Sequence, residues 1–179
     1  MKRCVAALVM LMACGATGVA DAQGRSAPPA LADGDRRALA RIVMSSASEV
    51  QLCNFAATKT PTLAVRSYCR NTIRSHARVA IVGMQLAQSL GAADVKFAPL
   101  AQTADTLSSL DRYAGHDFDR MFLLEQIEVA EDDEDTAKYA LDTVGAAALR
   151  RYEQNVLARV QVDLEGAETA LHAISGNTP

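Results

Sequence analysis

The sequence predicts an all-α fold, an up-down four-helix bundle with a short extra helix in its crossover connection. Three observations lead there. Apolar residues recur at i+3 and i+4 through four stretches of about 26 to 30 residues, the spacing that lines one face of a helix. Half of the 179 residues are hydrophobic while only 4% are aromatic and none is Trp, and Ala, Leu and Arg, which favour helix, abound. Breaks at Pro61, Gly91, His116 and Gly145 separate the stretches. Rods of that size are about 40 Å long at 1.5 Å per residue, and four of them make a bundle.

The first 22 residues stand apart from this bundle. Met1-Lys2-Arg3, the apolar run Cys4 to Ala13 and Ala20-Asp21-Ala22 have the three parts of a secretory signal. Cleavage after Ala22 leaves Gln23 first. Leu11-Met12-Ala13-Cys14 also resembles a lipobox, in which Cys14 is acylated and tethers the mature chain to a membrane. Either route exports the protein, to the periplasm or to an outer-membrane-associated position. The run is shorter than the roughly 20 residues a spanning helix needs, so the mature protein is expected to lack a transmembrane helix. Residues 23–33 carry Gly, Ser and two prolines and are expected to be a flexible lead, leaving 34–175 for the bundle.

The first two helices form a hairpin about Thr58-Lys59-Thr60-Pro61. The first starts near Asp33 or Asp35, either of which can cap free backbone N–H groups, and runs to Lys59. With Cys53 as origin and about 100° per residue, Ile42, Ser46, Glu49 and Ala57 lie within roughly 40° of it, which brings a carboxylate onto the buried stripe. The second helix starts at Pro61, where a missing N–H costs nothing, and ends at Gly91. Val65, Cys69, Ile73, His76, Ala80 and Ala87 share its face. Partners in an antiparallel hairpin have a nearly constant sum of residue numbers, so one register sets Cys53 near Cys69 and Glu49 near His76. In an oxidising compartment the two cysteines are then expected to form a disulfide, closing a short loop worth on the order of 3 kcal/mol.

Arg66, Arg70, Arg74 and Arg78 recur every fourth residue along the second helix. They read as a solvated face with acidic neighbours elsewhere in the bundle. Residues 92–97 connect to a short helix over Pro99–Arg112, part of the crossover. The third long helix runs from Asp117 to Thr143, with Leu123, Ile127, Ala130, Ala137, Leu141 and Val144 inward and Phe118 and Phe122 on a second flank. Its acidic run 131–135 points all around a helix and lacks the alternating ligands and glycine of a calcium loop, so it reads as solvated surface, opposite the arginines. The last helix, Ala146 to Ile174, carries Leu149, Tyr152, Val156, Val160, Leu164, Ala167 and Leu171 in one stripe. Glu168 and His172 near its end read as an exposed pair.

These landmarks resemble a known family. Ala47 to Leu52 on the first helix, Val65 to His76 on the second, and Gly115-His116-Asp117-Phe118-Asp119-Arg120 opening the third long helix are similar to the exported bacterial domain-of-unknown-function family 4142, whose members are often named as outer membrane proteins. The resemblance covers roughly residues 33–174 and implies a ferritin-like bundle. It also implies an inward Glu, matched by Glu49, and an Asp-His pair matched here by Ser75-His76. A histidine is usual about twelve residues after the Phe of Phe-Asp-Arg, where this chain has Ala130. The last helix usually has Leu-Pro and then a histidine, where this chain has Leu149-Arg150 and Asn155.

A di-iron bundle takes Glu from two helices and Glu-x-x-His from the other two, and no Glu-x-x-His occurs in this sequence. Glu49 and His76 alone supply two ligands, where a tightly held transition metal needs three or four. They read as a hydrogen-bonded or ion pair between neighbouring helices. The alternative is a reduced metal or redox site at the same two residues, completed by Glu125 or Glu128. No cofactor is expected. Ser45, Ser46 and Ser48 lie on a helix without a strained elbow or a paired histidine and acid, and the cysteines form no Cys-x-x-Cys, so no catalytic residue is assigned. With a net charge of −3 and no aromatic interleaving of its basic residues, the chain is not expected to bind nucleic acid. The expectation is an exported, non-enzymatic envelope protein acting through its surface on an unidentified protein partner.

Overall fold

The computed structural model describes residues 31–176. The leader, Cys14 and most of the lead lie outside the described residues, although Leu31 near the end of that lead is buried. Five helices follow in order: α1 Asp33–Lys59, α2 Leu63–Ser89, α3 Thr103–Leu110, α4 Gly115–Thr143 and α5 Ala147–Ser175. Strands are absent among the described residues, and none of these helices is long and apolar enough to cross a membrane.

Helix α4 begins at Gly115, two residues before the expected Asp117, and two other elements differ from expectation. Helix α2 begins at Leu63 rather than Pro61 because Thr62 is extended at φ −88° and ψ 132°. Helix α3 spans only Thr103–Leu110. Asp33 and Asp35 do not cap α1; the residue before it is Ala32, which makes no side-chain capping bond. Asp35 instead reaches across the bundle to accept from the backbone N–H groups of Gly145 and Ala146, each at 3.3 Å, where α5 begins. A carboxylate there meets the positive end of the α5 dipole.

Helix α1 packs along α2, and α4 along α5; α2 also lies beside α5 and α1 beside α4, which leaves α2 and α4 on a diagonal. The start of α1 meets the α4–α5 turn through Asp35, while at its far end Lys59 bonds Asp111, just before α4, at 2.7 Å. Helix α4 therefore enters at the end where α1 leaves, and the order is up-down-down-up. One long crossover carries the chain back along the bundle, the connectivity of ferritin-like folds. Ala92 and Val95 in it are buried at one end, Leu100 N–H donates to Ser48 Oγ at 2.9 Å midway, and Leu110 is buried at the other. Gly91 at φ 75° and Gly115 at φ 58° make the reversals on either side of it, in the left-handed region that favours glycine.

The core is divided in two. One cluster holds Leu39, Val43, Ala80, Leu149 and Val160, and the other Leu52, Val65, Leu110, Phe118, Phe122 and Leu123. Phe118 and Phe122, placed on a flank by the sequence reading, are fully buried and stacked with ring centroids 6.0 Å apart. In the first cluster the Tyr152 ring crosses the α2 backbone, and its hydroxyl donates to the Val79 carbonyl at 2.9 Å. Gly83 makes that crossing possible, since a Cβ there would sit 2.5 Å from the Tyr152 oxygen and 2.7 Å from Val43 Cγ2. Gly83→Ala is expected to destabilise the bundle by about 2 kcal/mol through overpacking, read as a lower midpoint in urea with unchanged slope. An unchanged midpoint would mean that the crossing is loose.

Candidate functional site

Between the two apolar clusters lies a layer of polar side chains, contributed by all four long helices. Each lies on the inward side of its helix around one cavity: Glu49 on α1, His76 on α2, Gln126 and, two turns further on, Asp133 on α4, and Asp163 on α5. Glu49 is 4% exposed, His76 6%, Gln126 1% and Asp163 8%, so none can rely on bulk water for its hydrogen bonds.

The sequence correctly brought Glu49 and His76 into one layer but misassigned their pairing. His76 Nε2 lies 3.2 Å from Asp163 Oδ2, and its Nδ1 lies 3.4 Å from Ser46 Oγ. The acid that holds the ring therefore comes from α5, and Glu49 acts on it only through space. Tyr68 donates to Gln126 Oε1 at 3.1 Å, and the Cys53 thiol points to the same oxygen at 3.7 Å. Asp133, expected on the solvated run, turns inward and accepts from Ser45 Oγ at 2.6 Å. Three polar atoms in this layer keep no hydrogen-bond partner: Glu49 Oε1, Gln126 Nε2 and Thr72 Oγ1. Outside this layer another acid, Glu153, is fully buried with both oxygens unpartnered.

Burial pushes the Glu49 carboxyl up to about 7. Attraction to His76 works against that shift, repulsion from Asp133 and Asp163 adds to it, and the Gln126 amide beside it draws it down slightly. Burial disfavours the charged His76 ring, yet the hydrogen bond to Asp163 and the carboxylates of Glu49, Asp163 and Asp133 overcome this and raise its pKa above the ordinary 6.5. Burial, joined by repulsion from Asp35, likewise brings Glu153 to about 7. The layer thus binds protons more tightly than an unfolded chain does.

Cys53 and Cys69 are both free thiols, fully buried in the second cluster. The Cys69 thiol beside it, with burial adding, pushes the Cys53 thiol far up. Their adjacency follows the expected register.

The implied metal centre does not fit this donor set. Glu49, His76, Asp133 and Asp163 line a common cavity of about 10 Å3, close to the size of one water. They do not converge on one point: no group of three or more His, Cys, Asp or Glu among the described residues is placed to hold an ion. Glu125, proposed to complete such a site, bonds Thr106 at 3.4 Å, and Glu128 is exposed.

The arginines and the acidic run are not partners either. Asp132 pairs with Arg41 at 3.2 Å, Glu134 with Lys138 at 3.2 Å, and Asp135 with Lys138 at 3.8 Å. Arg66 donates to the Thr60 carbonyl, and Arg70, Arg74 and Arg78 form no ion pair among the described residues. Glu168 and His172 are exposed, as expected.

The raised pKa values set the sign of the pH dependence. Between 4.5 and about 7 the folded state holds a proton on Glu49 that the unfolded chain has lost, so stability falls as pH rises through that window. His76 acts in the same direction, contributing fully below 6.5 and losing its contribution as pH passes its raised value. The Glu49 part is on the order of 3 kcal/mol. Urea unfolding at mildly acidic and mildly alkaline pH is expected to show a more stable protein in acid, and Glu49→Gln is expected to flatten the profile and raise stability on the alkaline side. A Glu49→Gln profile as steep as that of the parent would contradict the assignment.

No curated protein and no solved structure matches the chain. The family model described as "Domain of unknown function (DUF4142)" matches residues 20–170, taking in α1 to α4 and all but the last turn and a half of α5. With most of its length so matched, and with the bundle anticipated for that family, the chain belongs to the DUF4142 family.

Proposed function

We propose that the protein is an exported, non-enzymatic helical bundle of the bacterial cell envelope that acts through its surface. Export rests on the composition of residues 1–22, by cleavage after Ala22 to a periplasmic form or by acylation of Cys14 to a tethered one. The observation that carries the non-enzymatic reading is the closed polar layer. Its cavity of about 10 Å3, and a neighbouring one of about 30 Å3 lined by Arg41, Ser45, His76, Asp133 and Arg159, have room for waters. Sites that take small molecules are clefts of roughly 300 Å3 or more. The buried groups therefore serve one another, while a roomier hollow, about 670 Å3, is an open surface of α2 lined by Arg70, Ile73, Arg74, Ala77, Arg78 and Ile81, so contact with other molecules falls to the outer faces.

In the compartment this reading assigns, Cys53 and Cys69 join in a disulfide. Each thiol gives up a proton and an electron to a disulfide-exchanging oxidant, and the bond staples the α1–α2 hairpin.

Two measurements test this. Metal analysis of protein purified without chelator is expected to find far less than one equivalent of iron, manganese or zinc. Near-stoichiometric metal that disappears in His76→Ala would replace the surface-acting reading with a metal-binding one. Thiol counting in denaturant is expected to give no reactive thiol from the mature exported protein until reductant is added; two reactive thiols without reductant would remove the bridge.

A further inference from the structure

Charge is divided sharply between the two helices on the bundle diagonal. Helix α2 carries four arginines and no acidic residue. Helix α4 carries ten acidic residues against Arg120 and Lys138. Their inward faces meet across the core, so their outward faces point in opposite directions. The outward face of α2 presents Arg70, Arg74 and Arg78 with Ile81, which is 52% exposed, and none of these arginines has an acidic partner within the described chain. The outward face of α4 presents Glu128, Glu131 and Asp135, with Tyr139 72% exposed.

The two faces also match in height. Thr62, the residue just before α2, hydrogen-bonds Asp119 on α4, an offset of 57 residues, and Tyr68 on α2 bonds Gln126, an offset of 58. Both helices run in the same direction, so that offset holds along their length. It places Arg70 level with Glu128, Arg74 with Glu131, Arg78 with Asp135 and Ile81 with Tyr139. A second copy displaced sideways along the diagonal, without rotation or axial slip, therefore sets every one of these arginines against an acid and an aliphatic side chain against an aromatic one.

We infer that the α2 arginine face is a docking surface for the α4 acidic face of a second copy of this chain. The contact is heterologous: each copy uses one face to receive and the other to give, so association continues head to tail. Exposed ion pairs are individually weak and screened by salt, which makes the contact reversible and dependent on ionic strength. The charge division and the matched heights hold wherever the protein resides, so the inference does not depend on export.

Sedimentation velocity of the purified protein at low salt is expected to show mass growing with concentration and collapsing to monomer near molar salt. Arg74→Glu alone and Glu131→Arg alone each juxtapose like charges and are expected to weaken association by roughly tenfold or more. Mixing the two variants, or combining both changes in one chain, restores opposite charges at the contact and is expected to recover the assembly. Both positions are exposed, and unchanged thermal unfolding of each variant confirms that the bundle is intact; Arg70→Glu with Glu128→Arg repeats the test one turn away. A protein that stays monomeric at low salt overturns the inference, as does assembly that survives either single reversal or fails to return in the mixture. Binding to anionic phospholipid vesicles, lost in Arg74→Glu and kept in Glu131→Arg without self-association, would give the arginine face to a bilayer instead.

Discussion

A buried polar layer between two dry clusters is the constraint on which the rest of the bundle depends. Carbon packing alone is tolerant of axial slip, because one turn of apolar stripe resembles the next. A layer in which His76 must find Asp163 and Tyr68 must find Gln126 is not, since a helix displaced by a turn would strand several buried groups at a cost of about 1–3 kcal/mol each. The four helices are therefore held at one height, and the same registration makes the outward charges of α2 and α4 line up. Retention of buried polar groups for register rather than for stability has precedent in coiled coils.

The layer is incompletely satisfied, which distinguishes it from a purely structural device. Glu49 Oε1 and Gln126 Nε2 lie unpartnered beside a cavity about the size of one water, and Glu49 takes up a proton near neutral pH. Burial and the crowding of three carboxylates around one imidazole produce this together. The ring cannot neutralise all of them, so one acid holds its proton. The interior thus holds a carboxyl whose charge changes near neutral pH.

Much of the fold was legible in the sequence. The Thr58 to Pro61 turn, Gly91 and Gly145 delimit helices whose 3.6-residue periodicity is unbroken, and the register of the first hairpin follows from Cys53, Cys69, Glu49 and His76. What slipped was the phase of α4; on α5, Leu149, Tyr152, Val156, Val160 and Ala167 are buried as expected. Leu123, Ala130, Ala137 and Val144 are buried as expected, but drawing the line through Ile127 and Leu141 swung it to one side and left Phe118 and Phe122 on a flank. The correct line, Phe118, Phe122, Gln126, Ala130 and Ala137, contains a glutamine, and a purely hydrophobic count skips such a position. Asp163 was missed for the same reason: it sits at i+3 from Val160 and i+4 before Ala167, within the α5 stripe, but Leu164 offered a more apolar neighbour. The available signal was a polar residue at the same interior level on each helix in turn. It becomes visible only once the crossover direction is known, because that sets which residues of α4 and α5 stand level with Glu49.

The claim at the centre of this account concerns Glu49, and carboxyl carbon NMR of the protein labelled on glutamate, followed from pH 4 to pH 9, tests it most directly. The account predicts that the Glu49 resonance titrates with a midpoint near 7, while the His76 ring remains hydrogen-bonded to Asp163 and titrates above its ordinary value. A Glu49 midpoint near the ordinary 4.5, with His76 titrating as a free imidazole, would show that the layer is wet and unpaired, and would contradict the account.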